Sequence, residues 1–214
     1  MKPAPIRLLV CCSWAFAYLA ANSGSAAELA QQLRRPVALV PSADGHWLYV
    51  ANRDSGRLSV IDVTAARVIG EHMIGRRLSD VKWWPGSDRL LITDEAAHEL
   101  ILHEATGDAV KVVQRLPISP YPVSIEIAHG GQQATVASLW SRRLTFVALG
   151  DRIEVVQALD LPFGPRRQLL LSRENRLVVA DSFGGKLAII DPAERQVVGQ
   201  RLIPGHNIRG IGVS

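Results

Sequence analysis

The sequence predicts an all-β chain built as four successive four-stranded antiparallel sheets, and two spacings carry that prediction. Stretches ending in a small or acidic residue, Leu48 to Asn52, Leu91 to Asp94, Thr135 to Ser138 and Val178 to Asp181, have last residues 42, 44 and 43 positions apart. A second landmark, Leu58, Leu100, Leu144 and Leu187, keeps the same three intervals. Two landmarks holding one period make chance alignment a poor explanation, and a period of roughly 40 to 45 residues with several short strands is the pattern of β-propeller blades.

Within the first repeat, Val37 to Val40 reads as an inner strand A and Trp47 to Asn52 as strand B. Arg57 to Val63 then reads as strand C, and Arg67 to Ile74 as an outer strand D. Asp44-Gly45 marks a tight turn between A and B, matched loosely by Gly86-Ser87-Asp88, Gly130-Gly131 and Glu174-Asn175. Strand C is apolar at nearly every position, as in Leu100-Ile101-Leu102, which fits a strand covered on both faces by neighbouring sheets. After C come Asp62, Glu104 and Asp191, with Ala148 as the exception; acids there are expected to accept N–H bonds in the turn toward D. The expected blades are 37–77, 78–121, 122–164 and 165–206, with the first strand of a fifth over 207–214.

An address precedes the repeats. Residues 1–27 carry Lys2 and Arg7 but no acid, then an apolar run from Leu8 to Ala20, then Ser25-Ala26-Ala27. That order reads as a secretory signal peptide whose apolar run is too short to span a bilayer, so export to the periplasm or the extracellular space is expected. Cys11 and Cys12 lack the small residue that lipidation needs before its cysteine, and both lie in this segment. The mature chain, 28–214, therefore has no cysteine for a disulfide, a thiolate site or thioether haem. It keeps 22 basic against 20 acidic residues, interleaved in every repeat, which argues against nucleic-acid binding.

Leu48-Tyr49-Val50-Ala51-Asn52, preceded by Pro41 to Gly45 and followed by Leu58 to Asp62, closely resembles the repeat of bacterial YVTN-type propellers, which are similar to lactonase-like and surface-layer propellers. The first and fourth repeats match best; the second and third lack the Tyr-Val-Ala-Asn core. The resemblance implies a ring of seven blades, of which this chain supplies an open arc. Gly205 to Gly210 also resembles the junction at which some relatives carry a di-haem cytochrome c region, which implies a c-type cytochrome as a partner. Ile208 to Ser214 aligns with Val37 to Ser42, so the chain is expected to be part of a longer ring; a closed four-bladed ring, or two chains sharing one ring, are the alternatives.

Function is sought where polar groups converge. The D-to-A and B-to-C connections share one face around a propeller channel. The first set carries Arg76-Arg77, Arg166-Arg167, His206 and Arg209; the second carries Arg53-Asp54, Asp94-Glu95, Trp140 with Arg142, and Asp181-Ser182. The candidate binding rim is thus Arg53, Arg77, Asp94, Trp140, Arg167, Asp181, His206 and Arg209, suited to an anionic ligand or a protein partner. No Gly-x-Ser-x-Gly elbow, phosphate-cradling loop or His-Glu-x-x-His helix occurs, and no catalytic residue, metal ligand or cofactor is assigned. His98 and His103 fall at opposite ends of a strand C, roughly 16 Å apart, too far to share a metal. Trp83-Trp84 are expected to pack between sheets. The expected function is an exported, non-enzymatic module that presents its loop rim to a protein or ligand, including an electron-transfer partner. The alternative is part of a lactonase-like or redox propeller enzyme whose catalytic residues lie partly in other blades.

Overall fold

A computed structural model describes residues 33–205 and 207–212; the segment read as a signal peptide, and His206, lie outside them. Among the described residues sixteen strands form four sheets. The first holds β1 (Pro36–Pro41), β2 (Trp47–Asn52), β3 (Arg57–Asp62) and β4 (Arg67–Met73). The second holds β5 (Leu78–Trp84), β6 (Arg89–Asp94), β7 (Glu99–Thr106) and β8 (Ala109–Pro117). The third holds β9 (Pro122–Ala128), β10 (Gln133–Ser138), β11 (Arg143–Leu149) and β12 (Ile153–Asp160). The fourth holds β13 (Pro165–Leu171), β14 (Arg176–Asp181), β15 (Lys186–Asp191) and β16 (Gln196–Leu202). Each sheet is an antiparallel meander in chain order, and the first strands neighbour one another, β1 with β5, β5 with β9, β9 with β13. Four such meanders arrayed on their first strands are blades of a β-propeller.

The two-residue period of a strand sends alternate side chains to opposite faces, and each inner sheet uses both. Leu90, Ile92 and Ile101 pack toward the first sheet against Tyr49, Leu58 and Val60. Their neighbours Leu91, Leu100 and Leu102 pack toward the third, against Ile125, Val136 and Val147. A third core joins Ala137, Leu144 and Phe146 to Leu177, Val179 and Ile190. The apolar runs of strand C in the second and third sheets are therefore strands buried on two sides, whereas those of the first and fourth are covered on one. Trp83 stacks on Tyr49 at 5.8 Å between the first two sheets.

Three cores serve four sheets; among the described residues none joins the fourth sheet to the first. The outer face of the first sheet leaves Leu39 62% and Val68 50% exposed. On the fourth, Leu169, Val178 and Ile189 lie opposite one another and only half-buried. The blades form an open arc.

Along the channel the inner strands β5, β9 and β13 are each tied to the segment that follows from one equivalent position. Asp80 accepts the Ile125 N–H at 2.8 Å. Ser124 Oγ and its carbonyl accept from Gln168 Nε2 at 3.1 and 3.0 Å. Arg167 Nε donates to the Arg209 carbonyl at 3.3 Å. Residues 207–212 thus lie where the inner strand of a fifth blade belongs, yet they form no strand, contrary to expectation. The reason is local: an inner strand builds its ladder with its own strand B, and among the described residues none pairs with 207–212.

Candidate functional site: an arginine-lined recess on the rim

Turn chemistry fixes the floor of the rim. Asp94, at the end of β6, accepts the N–H groups of Arg76 and Arg77 at 2.7 and 3.1 Å, and those of Ala96 and Ala97 at 3.0 and 3.1 Å. Asp181, at the end of β14, accepts the Phe183 N–H at 3.0 Å. Both carboxylates are buried and turned inward onto backbone donors. They shape the loops through these bonds, and Asp181 also lines a smaller recess beside Trp140 and Phe183. The acids after strand C act similarly: Asp62 accepts from Ala65, and Asp191 from Ala193 and Glu194.

On that floor lies a recess of about 350 Å3, lined by groups from all four blades. Arg35 stands ahead of β1, Arg53 after β2, Ser79 on β5 and Glu95 after β6. Trp140 follows β10, and Arg166 and Arg167 belong to β13. The pairing of Pro165 with Asp181 sets that last placement, so these two arginines sit within the inner strand, not in the D-to-A connection where the sequence reading put them. Backbone clasps hold the loops together: Arg53 N–H bonds the Arg35 carbonyl at 3.0 Å, and Glu95 N–H the Arg77 carbonyl at 2.9 Å.

The charges do not balance. Glu95, buried, pairs with Arg53, and Asp54 lies 3.8 Å from Arg35. Arg166 and Arg167 have no carboxylate within ion-pair distance among the described residues. Burial, with the like charges of Arg167, Arg209 and Arg53, lowers the proton affinity of Arg166. A concave surface holding guanidinium groups in excess favours a carboxylate or phosphate, which their planar donor forks grip with two parallel bonds. Among the described residues no three of His, Cys, Asp and Glu come together as a metal-binding group.

Of the residues singled out from the sequence, Arg53, Trp140 and Arg167 meet in this recess, and Arg209 adjoins it through Arg167. Arg77 is exposed at the side, outside the lining. Arg35 and Phe183 were missed. Each had a signal: Arg35 occupies in the first blade the place of Arg77 in the second, and Phe183 lies 43 residues after Trp140.

No protein-family model matches the sequence, and no curated protein matches it. Solved structures do. Hydrazine synthase of Kuenenia stuttgartiensis superposes with a TM-score of 0.73 at 21% identity, over 80% of this chain and 50% of that one. The Pseudomonas aeruginosa periplasmic gluconolactonase PpgL gives 0.68 at 20%, over 82% and 59%. The dihydro-heme d1 dehydrogenase NirN, in complex with DHE, gives 0.67 at 20%, over 78% and 38%. These likenesses establish the β-propeller fold. The chain spans about half the length of the structures it matches.

Proposed function

We propose that this chain is an exported β-propeller module of the YVTN-repeat kind whose arginine-lined rim docks an anionic partner and carries out no chemistry of its own. The observation behind this reading is the excess of guanidinium groups in one recess, with Arg166 and Arg167 free of ion-pair partners among the described residues. The order of charged, apolar and small residues over 1–27 supports export, as does likeness to a lactonase whose name places it in the periplasm. An electron-transfer protein such as a c-type cytochrome, presenting an acidic surface, suits this rim. A second reading, part of a lactonase-like or redox enzyme completed by further blades, draws on the likeness to PpgL and NirN.

Binding of fluorescein-labelled hexaglutamate, followed by anisotropy across a salt series, tests the first reading. Replacing Arg35, Arg166 and Arg167 together by Gln should weaken binding at least tenfold and flatten its salt dependence, because exposed charges are screened over about 8 Å at physiological ionic strength. Unchanged binding in the triple variant would overturn it. Gluconolactone hydrolysis by the chain itself would favour the second reading.

A further inference from the structure

An aromatic surface begins where the arginines end. Trp140 and Phe183 stand two residues beyond β10 and β14, at one repeat position in successive blades. They are 60% and 56% exposed, with ring centroids 5.4 Å apart and planes inclined by 35°. A lone exposed apolar side chain is ordinary, but two large rings held together in water on a charged rim leave contact area waiting for a partner. The two rings line a second recess of about 210 Å3 together with Phe163, Gly164, Asp181 and Lys186, and it shares Leu139 and Trp140 with the arginine recess. Gly164 lets Phe183 and Leu139 approach closely: a Cβ at that position would stand 3.3 Å from Phe183 Cε2 and 3.2 Å from Leu139 Cδ1. The backbone at 164 also accepts the Ser182 N–H at 2.8 Å, so the loop carrying Phe183 is anchored against the loop ahead of β13.

We infer that the rim takes a small ligand with a flat aromatic body and a carboxylate or phosphate group, its ring lying on Trp140 and Phe183 and its anion held by Arg166 and Arg167. The inference rests on the anion-binding reading above and names the ligand class for it. The recess of about 350 Å3 lies within the size range of small-molecule sites, and its charged groups converge beside the apolar Val37, Val123, Leu139 and Trp140. Aromatic stacking is tolerant of ring identity but requires a π face, whereas the guanidinium pair requires only charge. An aliphatic anion satisfies one half of the site and a neutral aromatic the other. A compound with both features gains from both at once, as linked contacts do when geometry allows simultaneous engagement.

Calorimetric titration of the full chain with three probes separates these contributions: naphthoate, cyclohexanecarboxylate and neutral naphthol. Naphthoate should bind at least tenfold more tightly than either of the others. Phe183→Ala, an exposed side chain outside the arginine recess whose removal leaves the cores intact, should cut that margin at least threefold and leave cyclohexanecarboxylate binding unchanged, and Trp140→Ala should abolish the margin. Arg166→Gln should weaken both anions, and Arg166→Lys should restore part of the loss. Naphthoate and cyclohexanecarboxylate binding equally, with both weakened by Arg166→Gln, would overturn the aromatic assignment and leave the anion-binding rim standing. Naphthol binding as tightly as naphthoate would overturn the role of the arginines in this site. Binding by neither anion would remove both this inference and the reading on which it rests.

Discussion

Two buried titratable side chains pull the stability of this protein in opposite directions. Asp80, on the channel strand β5, accepts the Val81 and Ile125 N–H groups, yet burial pushes its carboxyl up from 3.8 to about 6. An acid raised in the folded state stabilises fully below its unfolded pKa, and that contribution is lost as pH climbs through the folded value. His103, on β7, is fully buried, with neither ring nitrogen bonded to protein; burial, aided by Arg115 and His72, pushes it down from 6.5 to about 4. Its contribution is complete above 6.5 and disappears as pH falls toward 4. Between about pH 4 and 6 the two slopes oppose. Asp80→Asn should therefore leave a stability that rises with pH across this window, by on the order of 2 kcal/mol, and His103→Leu one that falls by a similar amount. Denaturant midpoints of the three proteins over a pH series measure this, and parallel profiles would contradict it. Neither residue was legible as a titrating group in the sequence, because a two-residue strand period gives a face and not a depth. The same limit governs the rim: Arg53, Trp140 and Arg167 could be brought together by counting residues, but the count cannot tell an acid facing solvent from Asp94 or Asp181, folded back onto backbone donors.

At the scale of the strand, the repeat is held by clasps as regular as its spacing. The residue before each strand C offers its carbonyl to the residue after strand D: Gly56 to Ile74, His98 to Ile118, Arg142 to Leu161 and Gly185 to Ile203, at 2.8 to 3.0 Å. Three of the four acceptors, Gly56, His98 and Arg142, have left-handed backbone, which costs a side-chain-bearing residue about 1 kcal/mol or more. Gly56 has no room for a side chain, since a Cβ there would meet the Gly75 carbonyl oxygen. Gly56→Ala should destabilise by about 2 kcal/mol or more, while Gly45→Ala, with φ of 74° but nothing within 4 Å, should lose only about 1 kcal/mol. Equal shifts in the thermal midpoints of the two variants would show that the clasp matters less than the turn geometry alone. The strands themselves were legible to within about a residue. Strand B of the first blade, Trp47 to Asn52, coincides with its structural bounds because a turn glycine precedes it and the polar loop Arg53 to Gly56 follows. The inner strand of the fourth blade was placed too late, because Arg166-Arg167 look like loop residues and only the pairing of Pro165 with Asp181 shows otherwise.

Over the whole molecule, the open arc leaves two blade faces without a neighbour. Leu39 and Val68 on one and Leu169, Val178 and Ile189 on the other should bring copies of the 214-residue chain together, since burying apolar area returns roughly 25 cal/mol per Å2. Sedimentation velocity should show association that grows with concentration and is suppressed by Leu39→Glu; a monomer at every concentration would oppose this. The channel joints have a further meaning. Asp80 to a backbone N–H, a serine to a glutamine amide and an arginine to a backbone carbonyl are three different locks at one repeat position. An array of interchangeable units can nucleate anywhere and stack out of turn, whereas three chemically different locks distinguish these joints from one another. Asp80, Ser124 and Arg167 all lie on inner strands, apart from the Tyr-Val-Ala-Asn stretch of strand B, so the channel wall differs from joint to joint while the blades keep one plan, and the chain reads as a sentence of distinct words and not a string of synonyms.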